Sequence, residues 1–392
     1  MISVEEALAH CLALITPLAT ESVPLRHANG RMMPSPVQAR RHQPPFDASA
    51  MDGYAVQGDP EPGAAFTVIG ESGAGHAFPG QVNSGEAVRI FTGAPVPAGA
   101  TRVIIQEDVT AAGDRITLEP NADRATNIRP QGQDFRSGDS LSPRRLGPND
   151  LALLAAMNLP AVEVARRPTV ALIATGDELV MPGETPALDQ IIASNTFALA
   201  ALIEAEGGTA RILPIASDTP ESLRAVLTMA ADADLIVTIG GASVGDHDLV
   251  AKVAADMGMQ RSFWRIAMRP GKPLMAGRLL GKPLLGLPGN PVSSVVCSHL
   301  FLLPMLRALQ SRPDITPPTR RARLSENVGA SGPRAHYMRA RLTQTADLPL
   351  IAPFAPQDSH LLGILADADA LMIRPPGDGP VVAGTLVDYL PL

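Results

Sequence analysis

The sequence contains very little cysteine, since Cys11 and Cys297 are the only two in 392 residues. Two cysteines cannot form a disulfide framework, and neither lies in the spacing of a metal-binding motif. Both fall within apolar helical patterns, so we expect them to be buried as small hydrophobic side chains.

The sequence also lacks an uninterrupted apolar run long enough to span a bilayer. Its first residues lack the basic start and the apolar core of a secretory signal. We therefore expect a cytoplasmic protein with no membrane contact.

The sequence also has no excess of basic residues, because its 32 lysines and arginines are outnumbered by 39 acidic residues and the net charge is −7. Nucleic-acid binding requires a basic face, so this balance argues against it. An anionic small ligand would need a local basic cluster. No Gly-x-Gly-x-x-Gly fingerprint follows the first strand of the α/β region predicted below, which disfavours a dinucleotide cofactor.

The sequence does contain enough apolar residues, 45%, for substantial cores, and its length predicts roughly two to four domains. Ser3 and Glu6 form a capping-box pattern that predicts a first helix. A proline- and arginine-rich stretch from Pro17 to Pro45 predicts an extended connector. A small β domain is predicted from three short pieces: Ala65 to Ile69, Ala87 to Phe91 and Arg102 to Val109.

Strands and helices alternate from Arg167 onward, which predicts a mostly parallel sheet with helices on both faces. The predicted strands are Thr169 to Ala174, Arg211 to Ile215, Leu235 to Ile239 and Leu284 to Leu287. The predicted helices begin near Asn195, Thr219, Asp248 and Pro291. Ligands of such sheets bind beyond the carboxyl ends of the strands.

The stretch from Asp234 to Asp248 is the most informative of these strand ends. Gly240 and Gly241 allow a close turn whose amides, with the Ser243 hydroxyl, would suit a phosphate or another oxyanion. Asp246 and Asp248 would suit a hard cation such as Mg²⁺ beside that phosphate. The alternative is that Asp248 caps a helix and Asp246 is a solvated turn residue.

Other strand ends carry further candidate ligands. Glu178 follows a strand-terminal Thr-Gly, and Asp218 follows the second strand, although Asp218 with Glu221 also forms an N-cap pattern. The loop with Gly289, Asn290 and Ser293 could hold phosphate at a helix start.

Three cations, Arg265, Arg269 and Lys272, are concentrated in one segment of a largely acidic protein. Their place just before the Gly289 loop favours binding of an anion over a solvated basic loop.

Polar residues in the two β-rich regions more commonly stabilise turns or lie on the surface than bind a ligand. Asp52 could cap a turn, and Thr92 could either stabilise a turn or offer its hydroxyl to a ligand. After a linker from Ser311 to Arg321, a last β-rich domain is predicted, in which Ser359 lies in a loop and could face a partner's site.

Six motifs, taken together and in order over nearly the whole chain, resemble the molybdopterin molybdenumtransferase family, which includes MoeA and the gephyrin E domain. The motifs are Ser49 to Ala55, Phe91 to Pro95, Thr175 to Leu179, Gly240 to Asp248, Arg269 to Pro273 and Gly286 to Ser293.

The resemblance implies a multidomain α/β plus β fold with four domains. These are an extended, discontinuous linker domain (residues 1–42 and 130–165), an inserted small β domain (43–129), a central, mostly parallel α/β molybdopterin-binding domain (166–311) and a C-terminal β-barrel (312–392). It also implies a homodimer whose active site is shared between the α/β domain of one subunit and the inserted domain of the other.

The resemblance further implies an enzyme of molybdenum cofactor biosynthesis. Such enzymes take adenylylated molybdopterin and molybdate as substrates, use Mg²⁺, cleave the pyrophosphate bond, and release AMP and molybdenum cofactor. A transient contact with molybdopterin adenylyltransferase is a further expectation.

The strand-end patterns described above and the resemblance together assign a role to each candidate residue. The catalytic residues are Asp52, Thr92, Glu178, Asp218 and Asp248. The metal-binding residues are Glu178, Asp246 and Asp248. The substrate-binding residues are Gly240, Gly241, Ser243, Arg265, Arg269, Lys272, Gly289, Asn290, Ser293 and Ser359.

Arg265 and Arg269 depart from the family pattern, in which lysine is common at both positions. The charge is kept, but the planar guanidinium changes the geometry offered to an oxyanion.

There are three competing interpretations. The additional domains argue against a molybdopterin adenylyltransferase, and the absence of a fused extension argues against a non-catalytic scaffold. The missing glycine fingerprint argues against a nucleotide-cofactor oxidoreductase.

Overall fold

The computed structural model describes residues 1–241, 249–316 and 318–392. Over these ranges the α-helices, in chain order, are α1 (Val4–Ala13), α2 (Pro148–Ala156), α3 (Asn195–Ala205), α4 (Pro220–Met229), α5 (Leu249–Asp256), α6 (Pro291–Cys297), α7 (Leu303–Leu309) and α8 (Leu362–Ala366).

The strands, in chain order, are β1 (Thr20–Pro24), β2 (Met32–Met33), β3 (Val37–Gln38), β4 (Ala48–Ser49), β5 (Gly53–Val56), β6 (Ala65–Ser72), β7 (Glu86–Ile90), β8 (Arg102–Ile105), β9 (Val109–Ala112), β10 (Arg115–Leu118), β11 (Ile128–Arg129), β12 (Ser140–Leu141), β13 (Arg144–Arg145), β14 (Ala161–Ala165), β15 (Thr169–Ala174), β16 (Leu179–Val180), β17 (Ile191–Ile192), β18 (Thr209–Ile212), β19 (Leu235–Ile239), β20 (Gln260–Trp264), β21 (Met268–Arg269), β22 (Met275–Leu279), β23 (Lys282–Leu287), β24 (Arg320–Leu324), β25 (Ala335–Thr343), β26 (Leu350–Pro353), β27 (Ala370–Arg374) and β28 (Leu386–Pro391).

The chain forms two compact units. The larger unit consists of Met1–Glu21, Gly30–Pro34 and Val164–Leu392, and the smaller unit consists of Ser22–Asn29 and Ser35–Glu163.

The smaller unit is built on a six-stranded sheet in the order β8-β5-β7-β6-β10-β9, in which only the β6–β7 pair is parallel among the described pairings. Successive residues of a strand point to opposite faces. Accordingly Ala55 and Val56 of β5 belong to different apolar clusters. The sheet therefore has an apolar core on each face, which makes β5 a rigid support for the turn that precedes it.

The larger unit contains the predicted α/β sheet, in the order β18-β15-β19-β23-β22-β20. Its first four strands are parallel, whereas β22 and β20 are added antiparallel. Side chains of β15 alternate between two cores. Val170 and Leu172 pack in the core that contains α1, α3, α6 and α7, while Ala171 and Ile173 pack in the core that contains α4 and α5.

Residues Pro291–Leu309 form one helical segment in which a π-helical turn, Ser298–Leu302, joins α6 to α7. By length and mean hydropathy (1.6) it is the one described helix that could cross a membrane, but 78% of its apolar window is buried within the fold. This burial is typical of a core helix, and both cysteines lie in the same core, as predicted.

The C-terminal part of the larger unit is a closed five-stranded barrel, β25-β26-β24-β28-β27, which closes through the β27–β25 pair. Strand β21 pairs in parallel with barrel strand β25, where Met268 lies opposite Ala335 and Arg269 opposite His336. The basic segment predicted between two strands of the α/β region is therefore hydrogen-bonded to the barrel.

Several sequence predictions of local structure were wrong. The predicted strand Arg211 to Ile215 lies at Thr209–Ile212. Strand β8 ends at Ile105, because Gln106–Asp108 forms a 3-10 turn. Strands β20 and β22 were not predicted. Their short apolar stretches are interrupted by polar residues and glycine, so they lack a clear pattern.

Candidate active site

The carboxyl ends of β15, β19 and β23 form the floor of a cavity of about 970 Å³ in the larger unit. Gly240 and Gly241 follow β19 with φ of 95° and 67°, a region that favours glycine. A Cβ atom on Gly240 would lie 2.8 Å from the Thr175 carbonyl oxygen, and one on Gly289 would lie 3.4 Å from the Gly240 Cα. The glycines thus let three strand ends approach closely, and the buried Gly240 amide donates to the Leu287 carbonyl at 3.1 Å.

Two carboxylate residues, Glu178 and Asp218, line this cavity as the sequence predicts. The Asp218 amide donates to Oδ1 of Asp177 at 3.0 Å, which joins the loops that follow β15 and β18. The N-cap interpretation of Asp218 is wrong, because helix α4 is capped by Thr219, whose side chain accepts from the Ser222 amide. The Asp218 carboxylate is therefore not used in capping that helix.

The loop after β23 forms another wall of the cavity. Asn290 is the N-cap residue of α6 but makes no side-chain capping hydrogen bond. Nδ2 of Asn195 donates to the Gly289 carbonyl at 2.7 Å, so the start of α3 holds this loop in place. Gly289 and Asn290 line the cavity as predicted, and Asn290 keeps its side chain available for a ligand.

A smaller cavity of about 240 Å³ adjoins the larger one and shares Pro273 and Asn290 with it. Among the described residues that line it, the cationic ones are Arg269, Lys272 and Arg334, and the acidic one is Asp358. The hydroxyl-bearing residues in this lining are Ser293 and Ser359. Four of the predicted substrate-binding residues, Arg269, Lys272, Ser293 and Ser359, are thereby brought together.

The pKa of His336 reports the positive potential on this side of the site. His336 pairs with Arg269 across β25 and β21, and its pKa is lowered to about 4. Burial is the larger cause, and the charges of Arg269, Arg374, Arg334 and Arg339 follow. Of these four arginines, Arg269 and Arg334 line the smaller cavity.

Arg265 lies outside both cavities. Its backbone has φ of 70°, and its guanidinium carbon stacks 4.0 Å from the ring centroid of Trp264. A cation over an indole face is favourable. Its predicted substrate-binding role remains a prediction without support from the cavity lining.

The predicted residues Ser243, Asp246 and Asp248 lie outside the described residues. Asp52 and Thr92 lie in the smaller unit, where the structure brings them together. The Thr92 amide and hydroxyl both donate to Oδ1 of Asp52, each at 2.7 Å. These bonds, and then the charge of Arg89, lower the pKa of Asp52.

Two residues that the sequence analysis missed line the site. Arg334 reaches the smaller cavity from the start of β25, and Lys252 of α5 lines the larger one. Arg334 follows a Gly-Pro turn, which is the only local signal; the β21–β25 pairing that brings it to Arg269 joins segments far apart in sequence. Lys252 lies four residues after the predicted ligand Asp248 in the sequence, which is the spacing of neighbours on the face of a predicted helix.

Three family models match the chain in order. "MoeA N-terminal region (domain I and II)" matches residues 2–158, "Probable molybdopterin binding domain" matches 171–308, and "MoeA C-terminal region (domain IV)" matches 321–392. "Molybdopterin molybdenumtransferase 2" of Mycobacterium tuberculosis is 34% identical over 380 residues, which cover 93% of each chain. The chain belongs to the molybdopterin molybdenumtransferase family.

Other relatives agree with this assignment. The molybdopterin molybdenumtransferase of Haemophilus influenzae is 33% identical over 402 residues, covering 100% of this chain and 98% of the relative. A crystal structure of a molybdopterin biosynthesis MoeA protein from Pyrococcus horikoshii superimposes with a TM-score of 0.85 at 30% identity, covering 100% of this chain and 99% of that one. The multidomain fold with a central α/β region and a C-terminal barrel is therefore that of the molybdopterin molybdenumtransferase family.

Proposed function

We propose that the protein inserts molybdenum from molybdate into adenylylated molybdopterin and releases AMP and molybdenum cofactor. The observation that carries this proposal is the pair of adjoining cavities, one large with carboxylates and exposed backbone, the other small and cationic. A reaction between a large pterin nucleotide and a small oxyanion needs such a pair.

The larger cavity suits adenylylated molybdopterin. Its volume of about 970 Å³ is at the upper end of the range for small-molecule sites. The turn at Gly241 and the loop at Gly289 offer backbone groups to the pyrophosphate, and Lys252 supplies a positive charge. Glu178 and Asp218 are placed in the same cavity for the phosphoryl chemistry.

The smaller cavity suits molybdate, a tetrahedral dianion. Arg269 and Arg334 offer planar donor pairs and Lys272 a compact charge, and charge-assisted hydrogen bonds of this kind are the strong ones. Ser293 and Ser359 add hydroxyl donors. The three cations exceed the single acid, Asp358, so the lining favours a doubly charged anion.

The chemistry of the described residues suits a magnesium ion. Glu178 and Asp218 provide carboxylate oxygens, which are hard ligands, and Mg²⁺ is usually held by one or two carboxylates together with substrate phosphates and water. No cluster of three or more potential metal ligands occurs within the described ranges, and the proposed ligands Asp246 and Asp248 lie outside them. When bound, the ion would neutralise charge on the pyrophosphate.

The resemblance supports a homodimer, in which Asp52 and Thr92 would act in the active site of a second copy. It likewise supports the four domain ranges given above, a cytoplasmic location, and delivery of substrate by molybdopterin adenylyltransferase. Because Thr92 holds Asp52 ionised at an exposed position, this pair is suited to serve a site on another chain.

The decisive experiment measures AMP release and pterin-bound molybdenum from purified protein given adenylylated molybdopterin, with molybdate and Mg²⁺ each present or omitted. Joint dependence of both products on molybdate and Mg²⁺ is expected. Substrate binding without turnover would contradict the proposal and indicate a carrier, and consumption of ATP with free molybdopterin would indicate an adenylyltransferase.

A further inference from the structure

Arg339 of β25 is a buried charge that the proposed reaction does not use. Its side chain is 1% exposed, and within the described parts of the chain it forms no ion pair. Its guanidinium donates instead to the backbone carbonyls of Leu361 at 3.1 Å, Asp358 at 3.0 Å and Pro356 at 3.5 Å. A buried charge is costly unless its donors are satisfied, and here the acceptors all belong to one loop.

The same loop is tied to the Arg339 backbone by Gln357. The Arg339 amide donates to Oε1 of Gln357 at 3.0 Å, and Nε2 of Gln357 donates back to the Arg339 carbonyl at 3.0 Å. On the opposite side, the Val292 amide at the start of α6 donates to the Ser359 carbonyl at 3.1 Å. The loop of residues 356–361 is therefore held between β25 and α6.

This loop supplies residues to both cavities. Gln357, Asp358 and Ser359 line the smaller cavity, and His360 lines the larger one. The loop contains neither helix nor strand, so no backbone ladder of its own fixes the place of Ser359. The hydrogen bond from the Val292 amide and the side-chain contacts of Arg339 and Gln357 do so instead.

We propose that Arg339 is a positioning residue for the oxyanion pocket: its guanidinium clamps the 356–361 loop and so holds Ser359 against the cations Arg269, Lys272 and Arg334. The inference rests on the proposed function for the identity of the anion as molybdate. The planar guanidinium spreads its donors over separate nitrogens, Nη1 and Nη2, and so restrains three carbonyls at separate positions, whereas lysine carries all its donors on one nitrogen.

Arg374 of β27 provides a matched control. It is 2% exposed and lies in the same barrel, where it donates to the Gly329 and Gly379 carbonyls and to Asp378. The residues that it holds line neither cavity within the described ranges. Substitution of Arg374 therefore removes a buried arginine of the barrel without releasing the site loop.

The test compares Arg339→Met, Arg339→Lys and Arg374→Met in the full-length protein. Steady-state AMP release should show a KM for molybdate raised about tenfold or more in Arg339→Met, an intermediate rise in Arg339→Lys, and an unchanged KM for adenylylated molybdopterin. Arg374→Met should lose thermal stability to a similar degree while its KM for molybdate stays unchanged. Equal rises in Arg339→Met and Arg374→Met, or no rise in Arg339→Met, would overturn the proposal.

Direct titration with tungstate or molybdate by calorimetry separates this inference from the proposed function. Weaker oxyanion binding by the Arg339 variants, with intact binding by Arg374→Met, would support the clamp even if the wild-type protein released no AMP. Gln357→Ala removes the hydrogen bonds between the loop and the Arg339 backbone, and it replaces Arg339→Met in the test if Arg339→Met does not fold. Unchanged oxyanion binding in Gln357→Ala and Arg339→Lys would then refute the clamp.

Discussion

Thr92 donates both its backbone amide and its hydroxyl to the same oxygen of Asp52, Oδ1, with 2.7 Å in each case. The two residues are forty positions apart, and strand pairing between β5 and β7 brings their turns together. Hydrogen bonds to a carboxylate favour its charged form. The pair therefore holds the pKa of the Asp52 carboxyl below its usual value.

We expect Thr92→Val to raise the pKa of Asp52, because it removes the hydroxyl donor and keeps the amide. If Asp52 must be ionised for turnover, the acidic limb of the pH–rate profile will move to higher pH. Thr92→Ser, which retains a hydroxyl, is the control and should leave the limb in place. A profile that is the same in all three proteins would separate Asp52 from the rate-limiting chemistry.

Glu178→Gln should lower kcat for AMP release by about 10²-fold or more, as expected when a charged group at the reacting centre is neutralised. The folded state should survive, because the change keeps the side chain's size. Glu204→Gln, on the exposed face of α3, is the matched control. Full activity of Glu178→Gln would remove Glu178 from the catalytic set.

Arg334→Gln should raise the KM for molybdate about tenfold or more, because a charge-assisted contact to the anion is lost. Arg321→Gln tests whether the loss of a barrel charge outside the cavity also raises the KM for molybdate, since Arg321 is exposed on β24 and pairs with Asp388. Initial rates of AMP release at varied molybdate concentration give the KM of each variant. An equal effect of both substitutions would indicate a diffuse charge effect rather than a contact in the smaller cavity.

Glu206→Gln should destabilise the larger unit by about 3 kcal/mol, since it leaves the buried guanidinium of Arg307 without its carboxylate and leaves Arg312 with Asp314 alone. Glu206 is bonded to Arg307 and Arg312, and all three side chains are at most 13% exposed. Asp232→Asn is the control, because Asp232 is 75% exposed and a solvent-exposed pair such as the one it forms with Arg211 contributes little to stability. Trp264 is the single tryptophan and lies in the larger unit, so urea unfolding can be followed by its fluorescence.

His299 should make the larger unit less stable as the pH falls from about 6.5 to about 4. Burial, and then the charge of Arg307, lower the pKa of His299 to about 4 from 6.5. In that window the unfolded chain binds a proton that the folded chain does not, so the free energy of unfolding decreases on acidification. His299→Leu should flatten this slope relative to wild type, by up to about 1.4 kcal/mol per pH unit.

The control for His299 is His10→Gln, which changes an exposed histidine of α1. Its unfolding free energy should follow the wild-type pH dependence. If His299→Leu keeps the wild-type slope between pH 6.5 and 4.5, His299 is not the group that couples folding to protonation there.

The sequence predicts the secondary structure well where a pattern is long and unmixed. Strand β19 is fully buried and apolar except for Thr238, and it lies where it was predicted. The capping box of Ser3 and Glu6 is present, because a local pattern with a local partner needs no knowledge of the fold. Strand β22 was missed, since Gly277 and Arg278 interrupt its pattern and only pairing with β20 and β23 makes it a strand.

The site is predictable at the strand ends and much less so where distant segments meet. Glu178 and Asp218 were expected at one edge of a parallel sheet, and both line the larger cavity. Arg334 and Arg339 could not be found in this way. Their part in the site depends on β21 pairing with β25 and on a loop held by a buried side chain, and neither relationship leaves a periodic trace in the sequence.

The pairing of β21 with the barrel also sets an order in which the two cavities can arise during synthesis. The strand ends beneath the larger cavity are complete before the barrel residues leave the ribosome. Arg334 and Ser359 emerge only afterwards, and Arg269 has no strand partner until β25 has formed. A nascent chain that stops short of the barrel would thus possess the floor for the pterin nucleotide but no enclosure for the oxyanion.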